Sequence, residues 1–291
     1  MKYLLIWIVL LSQNAFGEQT VYLDLGYQDS SNYKIEQESI SEMKMNFSGD
    51  LANAPAKLRS QLPMDLNMKQ ITVQSIKTGT KESNNSYPLS MLVESSKTYA
   101  SINGSDYMEQ PSSSNNLEGV TINGVVHQDG KMEYKSASGE GATDELKTMM
   151  KSIFEQMANS NIMAGKKVKV GETVPFKMPM SIPVGDLGAV NFEMEMLYTL
   201  ESVTDEIANF NINFSAIVSS QLKEANISIE GTGSGVMKYD LTKKIAPSMT
   251  SKMQMDIKVP LEGDYLELTS VSDSNVRTSV AKSLTSLGTG Q

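Results

Sequence analysis

Cysteine is absent from this 291-residue chain, which has a single histidine and a single tryptophan. Without cysteine there is no disulfide framework, no thiolate metal cluster and no thiol nucleophile. One histidine cannot supply a conventional zinc site, which needs several His or Cys ligands. Any Ser-His-Asp arrangement would rest on His127 alone. That residue lies beside Gln128 and Asp129 between two expected tight turns, so the expected role is a surface position on a hairpin. The tryptophan, Trp7, falls in the extreme N-terminal segment, and the rest of the chain lacks the ring on which glycan sites often stack sugars. After residue 17 no apolar run reaches the ~20 residues that a membrane-spanning helix requires.

That N-terminal segment reads as a secretory signal peptide. A basic residue, Lys2, precedes an apolar run from Leu4 to Leu11, and Ala15-Phe16-Gly17 supplies small residues for cleavage. The mature chain is expected to start near Glu18 and to work outside the cytoplasm. Loss of Lys2 takes the net charge from −9 to −10. An acidic chain is repelled by phosphate backbones and gains nothing from anionic lipid headgroups, so neither nucleic acid nor an anionic membrane surface is an expected partner. No cysteine follows Gly17, which excludes an N-terminally acylated lipoprotein. A cysteine-free exported chain of this size fits a bacterial periplasmic or secreted protein. Its Asn-x-Ser sequons, such as Asn46 and Asn84, are coincidences of composition.

Strand periodicity dominates the remainder. Phe192, Met194, Met196 and Tyr198 alternate with polar residues, as do Phe210, Ile212, Phe214, Ala216 and Val218. Thr204-Asp205-Glu206 between them predicts a long hairpin. Ile227 and Ile229 lead into Gly231-Thr-Gly-Ser-Gly235, where glycines inside a strand predict a bulge or a sharp bend. Asp240-Leu-Thr-Lys-Lys244 and Glu262-Gly263-Asp264 are the next turns, with Met253, Met255, Ile257 and Val259 alternating between them. The first half predicts strands at Val21–Tyr27, Tyr33–Phe47, Leu66–Thr78, Tyr87–Val93 and Thr98–Ile102. Asn123-Gly124 and Asp129-Gly130 are expected to be hairpin turns in a short meander.

One segment has helical spacing. Leu146, Met149, Met150, Ile153, Phe154 and Met157 form a single helix face, and Thr143 stands at its start. A shorter helix is expected at Pro55–Leu62. The expected fold is therefore mainly β with some α: a curved antiparallel sheet or half-barrel of long strands with one central amphipathic helix. The expected layout is a signal peptide at 1–17 and one β-rich domain at 18–272. That domain comprises an N-terminal half to about 140, the helix at 143–159 and a strand meander at 166–272. Residues 273–291 are expected to form a polar tail or short helix, from the spacing of Val276, Val280, Leu284 and Leu287.

Lys166-Lys-Val-Lys-Val-Gly-Glu-Thr-Val-Pro-Phe176 resembles the entry into the C-terminal sheet of a family of exported bacterial proteins of unknown function. Gly171 and Glu172 match that element, and Val174 stands where the family often has Trp. Leu197-Tyr198-Thr199-Leu200, Ala208, the glycine-rich strand with Tyr239-Asp240, and Val126-His-Gln-Asp-Gly-Lys131 fit the same pattern over residues 20–260. The resemblance implies location and architecture and no activity. The strand–helix–strand layout is also similar to the half-barrel of periplasmic lipoprotein carriers.

Methionine is the compositional oddity, with 20 in the chain. Four Met-x-Met pairs occur, Met43/Met45, Met178/Met180, Met194/Met196 and Met253/Met255, where chance gives roughly one or two. Period two sets both members of a pair on one face of a strand. There they can fill a core or line a deformable apolar cavity. A third reading is thioether coordination of Cu(I). The cavity reading selects Met178, Met180, Met194, Met196, Met253 and Met255 as the hydrophobic wall. Glu193/Glu195 and Glu36/Glu38 alternate with apolar residues and belong to the solvent face of strands. Ser41-Glu-Met-Lys44, Ser220-Gln-Leu-Lys223 and Ser279-Val-Ala-Lys282 match Ser-x-x-Lys without the helix-opening context that chemistry needs. Gly231–Gly235 lacks the lysine and the following helix of a phosphate loop. The expected function is a non-enzymatic binding or carrier module, without cofactor or metal, for a hydrophobic ligand or an envelope partner. Periplasmic Cu(I) binding is the alternative, and an enzyme with an unrecognised carboxylate site is the third reading.

Overall fold

Alternation of apolar and polar residues over long stretches makes strands whose two faces differ, and strands of this kind must pair side by side. The computed structural model describes residues 20–23, 27–53, 59–60, 62–110, 118–128, 131–144, 147–148, 151, 166–183, 189–218, 227–261 and 264–282. The strands are β1 (Thr20–Leu23), β2 (Ser31–Phe47), β3 (Met64–Thr78), β4 (Tyr87–Ile102), β5 (Met108–Glu109), β6 (Thr121–Val126) and β7 (Met132–Ser138). They continue with β8 (Lys166–Lys169), β9 (Thr173–Pro183), β10 (Ala189–Thr204), β11 (Ile207–Val218), β12 (Ser228–Asp240), β13 (Ile245–Leu261) and β14 (Asp264–Lys282).

Twelve of these form one antiparallel, curved sheet in the order β7-β6-β4-β3-β2-β14-β13-β12-β11-β10-β9, with β5 paired to β4 off that path. The sheet is two consecutive meanders, β2 to β7 and β9 to β14, joined by the pairing of β2 with β14 from Phe47↔Leu266 to Ser31↔Lys282. It does not close, and β7 and β9 are its edges. The ribbon β1–β8 pairs Val21 with Val168. Both valines are buried in the cluster that contains Met194, Met196, Phe210 and Tyr239, so the ribbon packs on the apolar face of the C-terminal meander. A second buried cluster holds Tyr33, Ile76, Tyr87, Leu89, Val120 and Ile122 together with Ile245 from the other meander.

The hairpin β10–β11 turns as its sequence predicts. Thr204 pairs with Ile207, and the two residues between them, Asp205 and Glu206, have φ of 50° and 64°. Left-handed backbone at both central positions is the geometry that matches the strands' right-handed twist. The turn after β12 is organised by Asp240, whose Oδ1 accepts the N–H groups of Thr242 at 3.1 Å and Lys243 at 2.8 Å. Burial opposes the charge of this carboxylate, but those N–H groups and the Lys243 ammonium outweigh it and hold the group below the usual carboxylate range.

Three expectations are corrected. The two strands read at Tyr87–Val93 and Thr98–Ile102 are one strand, β4, because β3 opposite it continues unbroken and a register shift between Val73 and Gln74 absorbs Glu94. Asn123-Gly124 is not a turn. Both residues lie inside β6, where the register against β7 shifts between them, so the glycine serves a bulge rather than a reversal. The segment read as a polar tail or short helix runs on as β14 to Lys282. Val276 and Val280 are four apart, an even spacing that also suits one face of a strand, and the surrounding Ser, Thr and Val favour that state.

The glycines of β12 make no bulge, since the register with β11 and β13 passes through them unbroken; what they allow is close approach of the neighbouring backbone. A Cβ on Gly233 would stand 2.5 Å from the Lys252 carbonyl oxygen, and one on Gly235 would stand 2.5 Å from that of Thr250. Strands β11 and β13 approach within 8 Å (Cα–Cα) across β12. Among the described residues helix is a minor component. Asp144, Lys147, Thr148 and Lys151 are helical, and the Lys147 N–H donates to the Thr143 carbonyl at 2.9 Å. The apolar stripe Leu146, Met149, Met150, Ile153, Phe154 and Met157 lies outside the described residues. So do residues 1–17, Asp129-Gly130, Glu262-Gly263, Ser220-Gln-Leu-Lys223 and most of Pro55–Leu62. No helix among the described residues is long and apolar enough to cross a membrane.

Candidate functional site

Residues opposite one another in neighbouring strands share a face of the sheet, so the register places the methionines without further assumption. Met178 pairs with Met194. Met194 pairs with Ala216, Ala216 with Gly231, Gly231 with Met255, Met255 with Ser270, and Ser270 with Met43. One methionine from each of the four Met-x-Met pairs therefore lies in a single row that crosses seven strands. Their partners fall in the rows on either side. Met196 and Met253 are in line with Phe214 and Gly233, Met45 with Leu268, and Met180 is opposite Phe192.

This methionine face changes character along the row. Under the β1–β8 ribbon it is core: Met194 is 7% exposed and Met196 is 8% exposed. The buried Tyr198 hydroxyl donates to the Met196 sulfur at 3.7 Å, and burial raises the pKa of that phenol. Met253 packs against the edge of the same cluster, and Met255 packs against Phe192 and Ile229. Over β14, β2 and β3 the face carries half-buried apolar side chains at Met43, Met45, Met64, Leu66, Met68 and Leu268, with Ser41, Ser270 and Ser272 between them. None of these six apolar residues belongs to the three buried clusters among the described residues. Half-exposed apolar side chains in contiguous rows are an unusual surface for a protein to leave to water.

Of the six residues selected from sequence, Met194 and Met196 are in the core, Met253 and Met255 form the transition, and Met178 and Met180 occupy the edge strand β9. Sequence spacing had not assigned Met43 and Met45 to the wall, and it passed over Met64 and Met68. The last two are four residues apart on β3, and counting even spacings rather than only spacings of two would have found them. Thioether and aliphatic groups offer no acid, base or nucleophile, and such a surface can hold apolar matter by adaptable packing.

The opposite face is hydrophilic. It carries an open depression of about 770 Å³, crossed by the row Thr199, Asn211, Val236, Thr250, Asn275 and Glu38. None of the eight paired methionines lines it. Carboxylates on this face are met by lysines: Glu193 by Lys177 at 2.9 Å, Glu38 by Lys69 at 2.8 Å, and Asp273 by Lys252 at 3.8 Å. Exposed pairs of this kind contribute little stability. His127 follows β6 at the surface, with Nε2 3.1 Å from Glu133 Oε2 and its side chain 44% exposed. The Glu133 carboxyl lies below its ordinary range because Lys135 and His127 both donate to it. Ser41 and Lys44 are three apart in β2 and so project from opposite faces. Among the described residues no group of three or more His, Asp or Glu side chains is placed to hold a metal ion.

No protein-family model matches the chain, and no curated protein does. Among solved structures the chain is similar to lipovitellin, in a structure of its lipid–protein interactions. The TM-score is 0.48 and the identity 9%, over 88% of this chain and 26% of that one, so the chain spans about a quarter of lipovitellin's length. It is also similar to the translocator domain of the autotransporter NalP from Neisseria meningitidis, with a TM-score of 0.21 and 10% identity over 86% of this chain and 90% of that one. A third likeness is to OccK5 of Pseudomonas aeruginosa, with a TM-score of 0.23 and 8% identity over 87% of this chain and 99% of that one. These are likenesses of chain path, and they assign no activity.

Proposed function

We propose that this chain is an exported, non-enzymatic binding or carrier module that holds a hydrophobic ligand on the methionine face of its open sheet. The observation that carries the reading is the register row: four separate strands each contribute one member of a Met-x-Met pair to one line. Beyond the core the same face carries half-buried apolar side chains on β14, β2 and β3, at Leu268, Met43, Met45, Met64, Leu66 and Met68. Met is the side chain best suited to ligands of variable shape, being unbranched and polarizable. An acyl chain laid on this surface loses water at about 0.8 kcal/mol per buried methylene, less the cost of ordering it. The N-terminal segment supports export, since a short apolar run between Lys2 and Ala15-Phe16-Gly17 has the form of a cleaved leader.

Native mass spectrometry of the gently purified full-length product tests the reading. The expected spectrum shows the protein with a fatty acid or phospholipid mass attached, or taking one up on addition. Recovery of bare protein only, with no uptake of fatty acid, phospholipid or hydrophobic dye, contradicts it.

A further inference from the structure

We propose that β9 is a sealed edge: its prolines prevent the sheet from being extended there by a second copy of this chain or zipped shut against β7. β9 ends the sheet on one side. It contains Pro175, Pro179 and Pro183, which stand opposite Leu197, Glu193 and Ala189 of β10. In an antiparallel pair, alternate residues of a strand turn their N–H and C=O toward the neighbour and the others turn them away. The phase is fixed at the start of β9. The Leu200 N–H donates to the Glu172 carbonyl at 3.0 Å, and the register continues from there without a shift through Thr199↔Thr173. Even-numbered residues of β9 are thus bonded to β10. The odd-numbered ones, Thr173, Pro175, Lys177, Pro179, Ser181 and Pro183, present their backbone groups to the free edge.

All three prolines fall in the outward set. Had they been one position along, each would have removed a bond to β10 and faced the buried cluster beside Val174 and Phe176. Where they stand they cost the sheet nothing. An incoming strand would find every second donor missing and a ring at each gap. Lys177, centred between two of the prolines, adds a charge to the same edge, its ammonium 2.9 Å from Glu193 and 3.9 Å from Glu195. Proline and lysine on an edge strand are recognised means of refusing strand addition. Strand β7 at the other edge contains no proline, so the asymmetry is carried by β9. The inference does not depend on what the methionine face binds.

The test replaces two prolines and reads association. The full-length protein should remain at monomer mass as its concentration is raised. The Pro175→Thr/Pro179→Thr variant should shift toward dimer mass, with association at least about tenfold tighter. Because the chain has no cysteine, a Lys177→Cys probe locates the contact. Two β9 strands paired antiparallel about residue 177 bring the probes together, so a disulfide dimer should form in the proline-replaced background and not in the parent. A folded double variant that stays as monomeric as the parent overturns the inference, and so does a disulfide dimer in the proline-containing protein. Should the double variant fail to fold, the single variants Pro175→Thr and Pro179→Thr carry the same comparison.

Discussion

Single side chains anchor the first meander to the turn that follows β12. The Tyr27 ring meets Tyr33 edge-on at 5.1 Å and 69°, the Tyr87 hydroxyl donates to the Tyr27 carbonyl, and the Gln28 amide reaches the Lys243 carbonyl at 2.7 Å. Burial, and secondarily the neighbouring Tyr33, push the Tyr27 phenol from 10.0 up to about 12. The neutral phenol is thus the form the fold prefers. Its contribution is complete below the unfolded value near 10 and is lost as pH rises from there toward 12. Urea midpoints should fall across that interval, and Tyr27→Phe, which keeps the ring but cannot ionise, should flatten the fall. An unchanged slope in the variant would place the alkaline sensitivity elsewhere. None of this was legible in the sequence, because Tyr27 stands outside the alternating pattern of β2 and its partners are distant in the chain. The surface position of His127 was legible, although Asn123-Gly124, one of the two turns expected to flank it, lies inside β6.

Strands were readable wherever polar and apolar residues alternate, and errors arose where a local signal had two structural uses. Asn123-Gly124 is a strong turn dipeptide, yet in β6 the glycine serves a register shift, since pairing with β4 on the other side carries the strand through. The tail was misjudged because four-residue spacing suits a helix and one face of a strand alike, and the pairing of β14 with β2 decides between them. The glycines of β12 suggest a bulge or a bend, and the unbroken register excludes the bulge. Here a substitution discriminates. Gly233→Ala drives a methyl group onto the Lys252 carbonyl and the Met253 backbone and should cost about 3 kcal/mol. Gly104→Ala, at φ +76° with open space around the Cβ, should cost about 1 kcal/mol of backbone strain alone. Equal urea-midpoint shifts for the two would contradict the close approach of β12 and β13.

At the scale of the molecule, the pairing of β2 with β14 joins two meanders into one sheet with a hydrophilic face and a methionine face. Period-two spacing in the sequence indicates that each Met-x-Met pair shares a side of its own strand. It could not indicate that one member of each of the four pairs falls in a common row, because that depends on the registers of six strand pairings in succession. Nor could it separate buried Met194 and Met196 from half-buried Met43 and Met45, since among the described residues the β1–β8 ribbon packs on the C-terminal meander, in the cluster of Met194 and Met196.

The central claim is that the half-buried end of this row takes up apolar ligand. It is tested most directly by titrating the purified full-length protein with a fluorescent fatty acid, beside variants that place a charge on one face or the other. Saturable uptake by the parent is predicted, with a loss of at least about tenfold in Met43→Glu and Met255→Glu and none in Ser234→Glu, which lies in the depression on the hydrophilic face. Absence of uptake by the parent, or an equal loss in Ser234→Glu, would contradict it.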